Sequence, residues 1–385
     1  MARLLINTEY EERQIYDIIS GIKDYVLEKN VPDPTICTIS KGYVASIGMK
    51  GLVEWCREWK VDCVLGSFSR NDDTDLLVDS GIIAVNWNSM LMDTGLPSIR
   101  TDHTTYGRIC VKHFSSYRHF AFYSHTNDPR IHSIIQGFQK VLEGKPSATF
   151  DHFIFDPEAD FRSELMVLKA WLRNIPKPVL ILAGTDMFGN NLIEYCKVLK
   201  IDVPGKAAIL GIGNSRMICD MKRTSLSSID MNMYKVGWRI AEMMDICLKN
   251  RNFKGYDIIN RPGRVIERMS TATIPSANQD VVEAARFIHL HFHQKISVDD
   301  VVQATSISRR LLEKHFAAEC GMGIYQYIMK LRLDEFTEKV MHTKEPIKSI
   351  AISLGDDDSK NLSRMFREKY GCSPSSWREA NTLDD

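Results

Sequence analysis

No stretch of the chain holds the roughly 18 consecutive apolar residues that a membrane-spanning helix needs. The N-terminus does not have the shape of a secretory leader, because its apolar stretch is short and acidic residues follow at once. Net charge is absent too: 49 Lys and Arg balance 49 Asp and Glu. A chain-wide basic excess, the usual footprint of nonspecific nucleic-acid binding, is therefore excluded. The nine cysteines include no C-x-x-C pair, which argues against a disulfide framework or zinc site and for reduced thiols in the cytoplasm. There is no G-x-S-x-G, no Walker motif and no cluster of metal-ligating residues. Gly211-Ile212-Gly213 lacks the rest of a dinucleotide fingerprint. These absences predict a chain that is not an enzyme and carries no metal or cofactor.

The 385 residues are 44% hydrophobic and 25% charged, ordinary for a globular protein and enough for two or three domains. Through residue 270, short apolar runs alternate with amphipathic stretches. Runs at 3–7, 63–66, 82–86, 119–124, 153–155, 179–183 and 207–211 read as strands. Stretches at 12–29, 45–60, 130–142, 161–173 and 190–199 read as helices. In the first of these, Ile15, Ile18, Ile19, Ile22, Val26 and Leu27 recur at helical spacing. The alternation predicts parallel sheets covered by helices on both faces, and the length predicts two such α/β lobes.

In open parallel sheets ligands bind beyond the carboxyl ends of the strands. Glu9 and Tyr10 follow the first strand, Trp87 the run at 82–86, and Asp102 a short extended run at 98–100. His125 and Asn127 follow the run at 119–124, Thr185 and Asp186 that at 179–183, and Asn214 and Arg216 that at 207–211. Carboxylates, amides and aromatic rings in such places suit a polyol. Planar acceptors take pairs of hydroxyl protons, and a ring face stacks on the C–H face of a sugar. Taken singly, each is equally well read as a helix cap, Asp186 among them.

The polar, unperiodic segment 270–279 reads as a linker. Beyond it one pattern occurs twice. Residues 297–305 and 308–318 read as helix, turn, helix, and so do 346–354 and 359–369, with Gly355 at the second turn. Ser297 and Asp300 have capping-box spacing. Residues 323–341 read as one helix of about 18 residues, roughly 27 Å long, which sets two reading heads about one DNA turn apart. Leu311, Leu312 and Phe316 are expected to face inward, as are Leu362, Met365 and Phe366. Ser308, Arg309, Arg310 and Lys314 are then left outside in the first unit, and Lys360, Asn361 and Arg364 in the second. Outward cations on the second helix suit the major groove, where arginine forks onto guanine or clamps phosphate. Residues 280–385 carry 15 Lys and Arg against 17 Asp and Glu, a net of −2, so the positive field is local. Arg332 falls on the apolar arc of Tyr325, Ile328, Met329, Phe336 and Val340, which predicts a structural arginine paired with a carboxylate.

Two resemblances follow from these residues. The segments 179–186 (VLILAGTD), 201–204 (IDVP), 208–214 (AILGIGN), 224–229 (TSLSSI) and 99–107 (IRTDHTTYG) resemble the sugar-sensing domain of LacI-type repressors and periplasmic sugar-binding proteins. The resemblance covers about residues 1–270 and implies three crossings between lobes. One lobe would comprise 1–102 and 231–257, the other 103–230 and 258–270, with a linker at 271–279. It also implies that Asp102 and Thr185-Asp186 contact sugar. The family's aspartate after Gly-Ile is Gly213 here, and its arginine three residues before Gly137-Phe138 is Ile134, with Arg130 one turn earlier as substitute. Residues 280–385 resemble the AraC-family DNA-binding domain through Ile307-Ser308, Arg332-Leu333, Ile350-Ala351 with Gly355, Ser363-Arg364 with Phe366, and Gly371 to Arg378 (GCSPSSWR). Asp356 departs from that family, which places an aromatic core residue there.

This order of parts is that of the xylose-operon regulators. It implies a homodimeric, sugar-responsive regulator of double-stranded DNA, with RNA polymerase as a partner if it activates. The alternative reading is a sugar-binding protein whose C-terminal domain serves as a protein-interaction module. The acidic run Asp356-Asp357-Asp358 and the net of −2 speak for that alternative.

Overall fold

The computed structural model describes residues 3–8, 14–31, 35–69, 71–87, 94–125, 129–156, 158–222, 224–250, 253–272, 276, 278–343, 345–356 and 360–383. The first elements are β1 (Arg3–Thr8), α1 (Gln14–Glu28), β2 (Thr35–Ser40), α2 (Lys41–Glu58), β3 (Cys63–Gly66), α3 (Asp75–Asp79), β4 (Ile83–Asn86) and β5 (Ile99–Thr101). Then come α4 (Thr104–His113), β6 (His119–Ser124), α5 (Pro129–Leu142), β7 (Thr149–Ile154), α6 (Phe161–Asn174), β8 (Val179–Ala183), α7 (Asp186–Val198) and β9 (Ala207–Ile212). The α/β region closes with α8 (Arg216–Cys219), β10 (Ser227–Ile229), α9 (Met233–Lys249), β11 (Ile258–Asn260) and β12 (Val265–Ile266).

The first lobe is built on a parallel sheet in the order β2-β1-β3-β4. The second lobe has six strands, β12-β10-β9-β8-β6-β7, parallel except for β12 against β10. β8 and β9 are buried along their whole length, which is why their sequences run apolar without alternation. In the first lobe, α1 and α9 cover one face, with Ile18 and Ile22 against Ile240 and Met243. Side chains at Gly21 and Gly237 would collide with the backbone of Tyr234 and Ile18, so this crossing requires glycine on both helices.

β2, β10, β11 and β12 were not legible as strands. β2 is an edge strand with little buried surface, and the other three are two or three residues long. β11 pairs with β5, Ile258 opposite Ile99, and Asn86 bridges to Ser98. Residues 258–260 therefore side with the first lobe's strands rather than the second's. Thr271 and Ala272, read as linker, are buried, and the Thr271 hydroxyl is 2.6 Å from Ser227 Oγ.

Seven helices follow: α10 (Gln279–His291), α11 (Val298–Gln303), α12 (Arg309–Cys320), α13 (Ile324–His342), α14 (Ile347–Ser353), α15 (Lys360–Tyr370) and α16 (Pro374–Leu383). The Ser297–Asp300 capping box is present at α11. α13 serves two cores. Ile324, Ile328 and Leu331 pack with Leu312 and Phe316, while Met329, Leu333, Phe336 and Val340 pack with Ile350, Leu362 and Phe366. A single apolar arc is therefore the wrong description of this helix, and Tyr325 is 58% exposed. Leu311 is also exposed rather than inward; the core stripe of α12 runs through Leu312 and Phe316, one full turn apart. Trp377 closes the second core, 5.1 Å from the Tyr370 ring.

Candidate functional site

The two helix-turn-helix units hang on opposite ends of α13, whose 19 residues span about 28 Å at 1.5 Å per residue. On α12, Arg310 and Lys314 are exposed. Arg309 is exposed as well but already paired, 2.9 Å from Asp299 and 3.1 Å from Glu313. Ser308 is the N-cap residue of α12 and makes no capping bond with its side chain, leaving its hydroxyl outward beside these cations. On α15, Lys360 and Arg364 are exposed, and Arg364 donates to Asn361 Oδ1 at 3.1 Å. Lys369 is drawn away to Asp334 at 2.9 Å. Asp356 accepts from the Leu362 backbone N–H at 2.9 Å. Where the resemblance calls for an aromatic core residue, the chain thus has an acceptor for a first-turn amide of α15.

Arg332 is 7% exposed, as a structural role requires, but its described hydrogen bonds do not include the carboxylate expected of it. Its described partners are carbonyls: Nε reaches Phe292 O at 2.7 Å, Nη2 reaches Gln294 O at 2.5 Å and Nη1 reaches Gly355 O at 3.4 Å. One guanidinium thereby ties the end of α10 to the turn between α14 and α15. Gly355 has φ +75, and a side chain there would press on Gln294 and Arg332, so both constraints select glycine.

In the α/β region, Glu9, Tyr10 and Asn127 lie outside the described residues. Asp102 follows β5, is exposed, and accepts from the Thr104 backbone and from the hydroxyls of Thr104 and Thr105. The Thr104 hydroxyl bond holds its carboxyl below the usual range despite some burial. Arg130 is exposed on the first turn of α5 and carries its charge near Tyr106, as Asp230 does. The Tyr106 hydroxyl is buried without a hydrogen-bond partner among the described residues.

Asp186 turns into the second lobe. It is 3% exposed and accepts from Ser215 N at 2.7 Å and from the Ser228 hydroxyl at 2.5 Å. Burial pushes its carboxyl up, against the pull of those donors. A side chain at Gly211 would collide with it, and one at Gly213 would crowd it. The acid that the resemblance expects at 213 is thus absent where Asp186 fills the space. Asn214 continues the network, its Oδ1 accepting from Arg268 at 2.9 Å while Arg268 pairs with Asp220. The structure gives Asp186 and Asn214 internal partners and brings them together, while Asp102 and Arg130 stand at the surface.

Sequence reasoning missed an aromatic stack at the strand ends of the second lobe. The His125 ring lies between Phe155 at 4.8 Å and Phe188 at 4.5 Å, nearly parallel to both. In the first lobe, Lys41 sits over the Trp87 ring at 5.9 Å. Asn260 was missed too: it is buried and donates to Thr101 Oγ1 and Met231 O, pinning three chain crossings together. Only its place beside a crossing could have signalled it.

A polar seam joins the α/β region to the helical domain. His113 Nε2 lies 2.8 Å from Glu267, and His289 Nε2 lies 2.9 Å from the Tyr327 hydroxyl. Burial drives His289 down from 6.5 to about 4, with the Glu267 charge opposing. Burial drives Glu267 up, but the His113 bond and the charges of His113 and Lys330 outweigh it and hold the carboxyl at about 2. His289 is neutral when folded and protonates more readily when unfolded. Its contribution is full above pH 6.5 and is lost as pH falls toward 4. Thermal melts from pH 7 to 4.5 are expected to lose on the order of 2–3 kcal/mol through this group. His289→Gln should flatten that slope; an identical pH dependence in the variant would exclude it.

Two family models match this chain. Residues 301–380 match a helix-turn-helix domain, and residues 112–271 match a periplasmic binding protein-like domain. The chain therefore joins a periplasmic binding protein-like domain to a helix-turn-helix domain. It is homologous to xylose operon regulatory proteins. With that of Escherichia coli K12 it shares 29% identity over 215 residues, 56% of this chain and 55% of the relative. The match thus spans about half the length of that curated relative. With that of Haemophilus influenzae it shares 24% identity over 328 residues, 83% of this chain and 85% of the relative. Among solved structures, a xylose-binding transcription activator superposes with TM-score 0.60 at 21% identity over 98% of both chains. A LacI family regulator from Enterococcus faecium with bound ribose superposes with TM-score 0.55 at 17% identity, over 71% of this chain and 99% of the other.

Proposed function

We propose that this chain is a sugar-responsive, DNA-binding transcription regulator. The observation that carries the reading is the pair of exposed cationic helices, α12 and α15, held on opposite ends of one 19-residue helix behind a two-lobed sensor. A monosaccharide of the pentose type, xylose among the candidates, enters between the lobes. Trp87, the His125 stack, Asp102 and Arg130 supply the ring faces and polar groups for it. Closure shifts the arrangement of two subunits and with it the spacing of their DNA-reading helices. The ligand acts only through its different affinity for the two states, typically about 1–3 kcal/mol of coupling. An activating regulator would present RNA polymerase with the resulting complex, in the cytoplasm.

The test is titration of promoter DNA with the full chain, with and without xylose, ribose and a hexose. Affinity for DNA that shifts with one sugar supports the reading, and affinity indifferent to every sugar overturns the allosteric part. The net of −2 over residues 280–385 and the ion pairs of Arg309 favour a second reading, a protein-interaction module. A log–log salt slope near zero would select it.

A further inference from the structure

Arg239, Lys235 and Arg261 surround a cavity of about 390 Å³ that the sugar reading leaves unused. Its other lining residues are Asn232, Val236, Ile258, Ile259 and Asn260. It lies where α9 begins and β11 ends, beside two of the segments that Asn260 pins together. We propose that this cavity is a binding site for a small phosphate monoester, distinct from the sugar cleft.

Three like charges around one concavity repel each other, and among the described residues none of the three forms an ion pair. Two nearby carboxylates already hold partners. Asp257 accepts from Ser98 N and pairs with Arg100, and Asp230 accepts from Asn232 N. Arg239 lines the cavity while donating to Ile259 O at 3.2 Å and bonding the Tyr256 side chain, which restrains its guanidinium there. Asn232 gives α9 no side-chain cap, so the positive end of a 17-residue helix adds to the same field. Two guanidinium groups and an ammonium are donors of the kind that phosphate oxygens accept from. Ile259, half exposed, gives an apolar patch of floor above the buried Val236 and Ile258, and the volume exceeds what a bare phosphate needs. The ligand that fits has a doubly charged phosphate at the cationic rim and a small organic part on that floor.

Binding of ribose 5-phosphate, inorganic phosphate and ribose to the full chain by calorimetry tests this. The ester is expected to bind, phosphate more weakly, and both to weaken with salt. Lys235→Gln with Arg261→Gln should reduce ester affinity at least about tenfold, since each charged hydrogen bond is worth more than 1 kcal/mol. Both residues are exposed, so the variant should keep the thermal midpoint of the unmodified chain. No ester binding, or equal binding by the variant, would overturn the proposal. Neither result depends on whether a neutral sugar occupies the cleft or on whether the chain binds DNA, so the regulator reading fails or stands separately.

Discussion

Reversing Arg310 and Lys314 together is expected to cut promoter affinity about a hundredfold and flatten the log–log salt slope by about two. Both side chains are exposed on α12 and hold no acidic partner among the described residues. Each is free to meet a phosphate or a base edge, where a good contact is worth roughly 1–3 kcal/mol. Arg309 differs, because Asp299 and Glu313 already hold it. Its replacement costs less, since DNA must first compete with two carboxylates. Anisotropy titrations of a promoter fragment at several salt concentrations separate these cases. If Arg310→Glu with Lys314→Glu left both affinity and slope unchanged, α12 would not be a reading helix.

Arg332→Met is expected to cost the helical domain about 3–5 kcal/mol, a large fraction of any domain's stability. Methionine keeps the apolar stem but takes the guanidinium donors away from three carbonyls, those of Phe292, Gln294 and Gly355, of which Gln294 O keeps the Ile296 N–H at 2.9 Å. Two of those carbonyls end α10 and the third turns α14 into α15. The first helix-turn-helix core and the second therefore loosen against each other. Urea denaturation followed by helical circular dichroism reads the loss. Arg332→Lys should recover part of it, because an ammonium reaches fewer of the three acceptors. A variant with methionine as stable as the parent would show that the carbonyls find other partners at no cost.

Much of the fold was legible because its signals are local. The runs at 63–66, 119–124 and 179–183 became β3, β6 and β8 with the same bounds, since buried parallel strands are apolar throughout. The helix-turn-helix helices were legible for the same reason, through their own apolar stripes and, at α11, a capping box. α4 and α9 were not recognised. α9 is apolar over much of its circumference because it packs on α1 and the sheet at once, so its pattern is not that of a surface helix. The site was legible in part. The residues that follow the strands could be picked out as a set, yet what each one does depends on partners far away in the chain. Asp186 meets Ser228 and Ser215, and Asn214 meets Arg268.

By itself the sequence determined the two kinds of domain, their order and the basic faces of α12 and α15. Those properties follow from periodicity and from charge placed every three or four residues. Only the tertiary structure decided which charges are free. It paired Arg309 and left Arg310 exposed, turned Arg332 onto carbonyls, sank Asp186 into its lobe and gathered Lys235, Arg239 and Arg261 around one cavity. A charge's availability is set by every group within a few ångströms, and those neighbours come from distant parts of the chain.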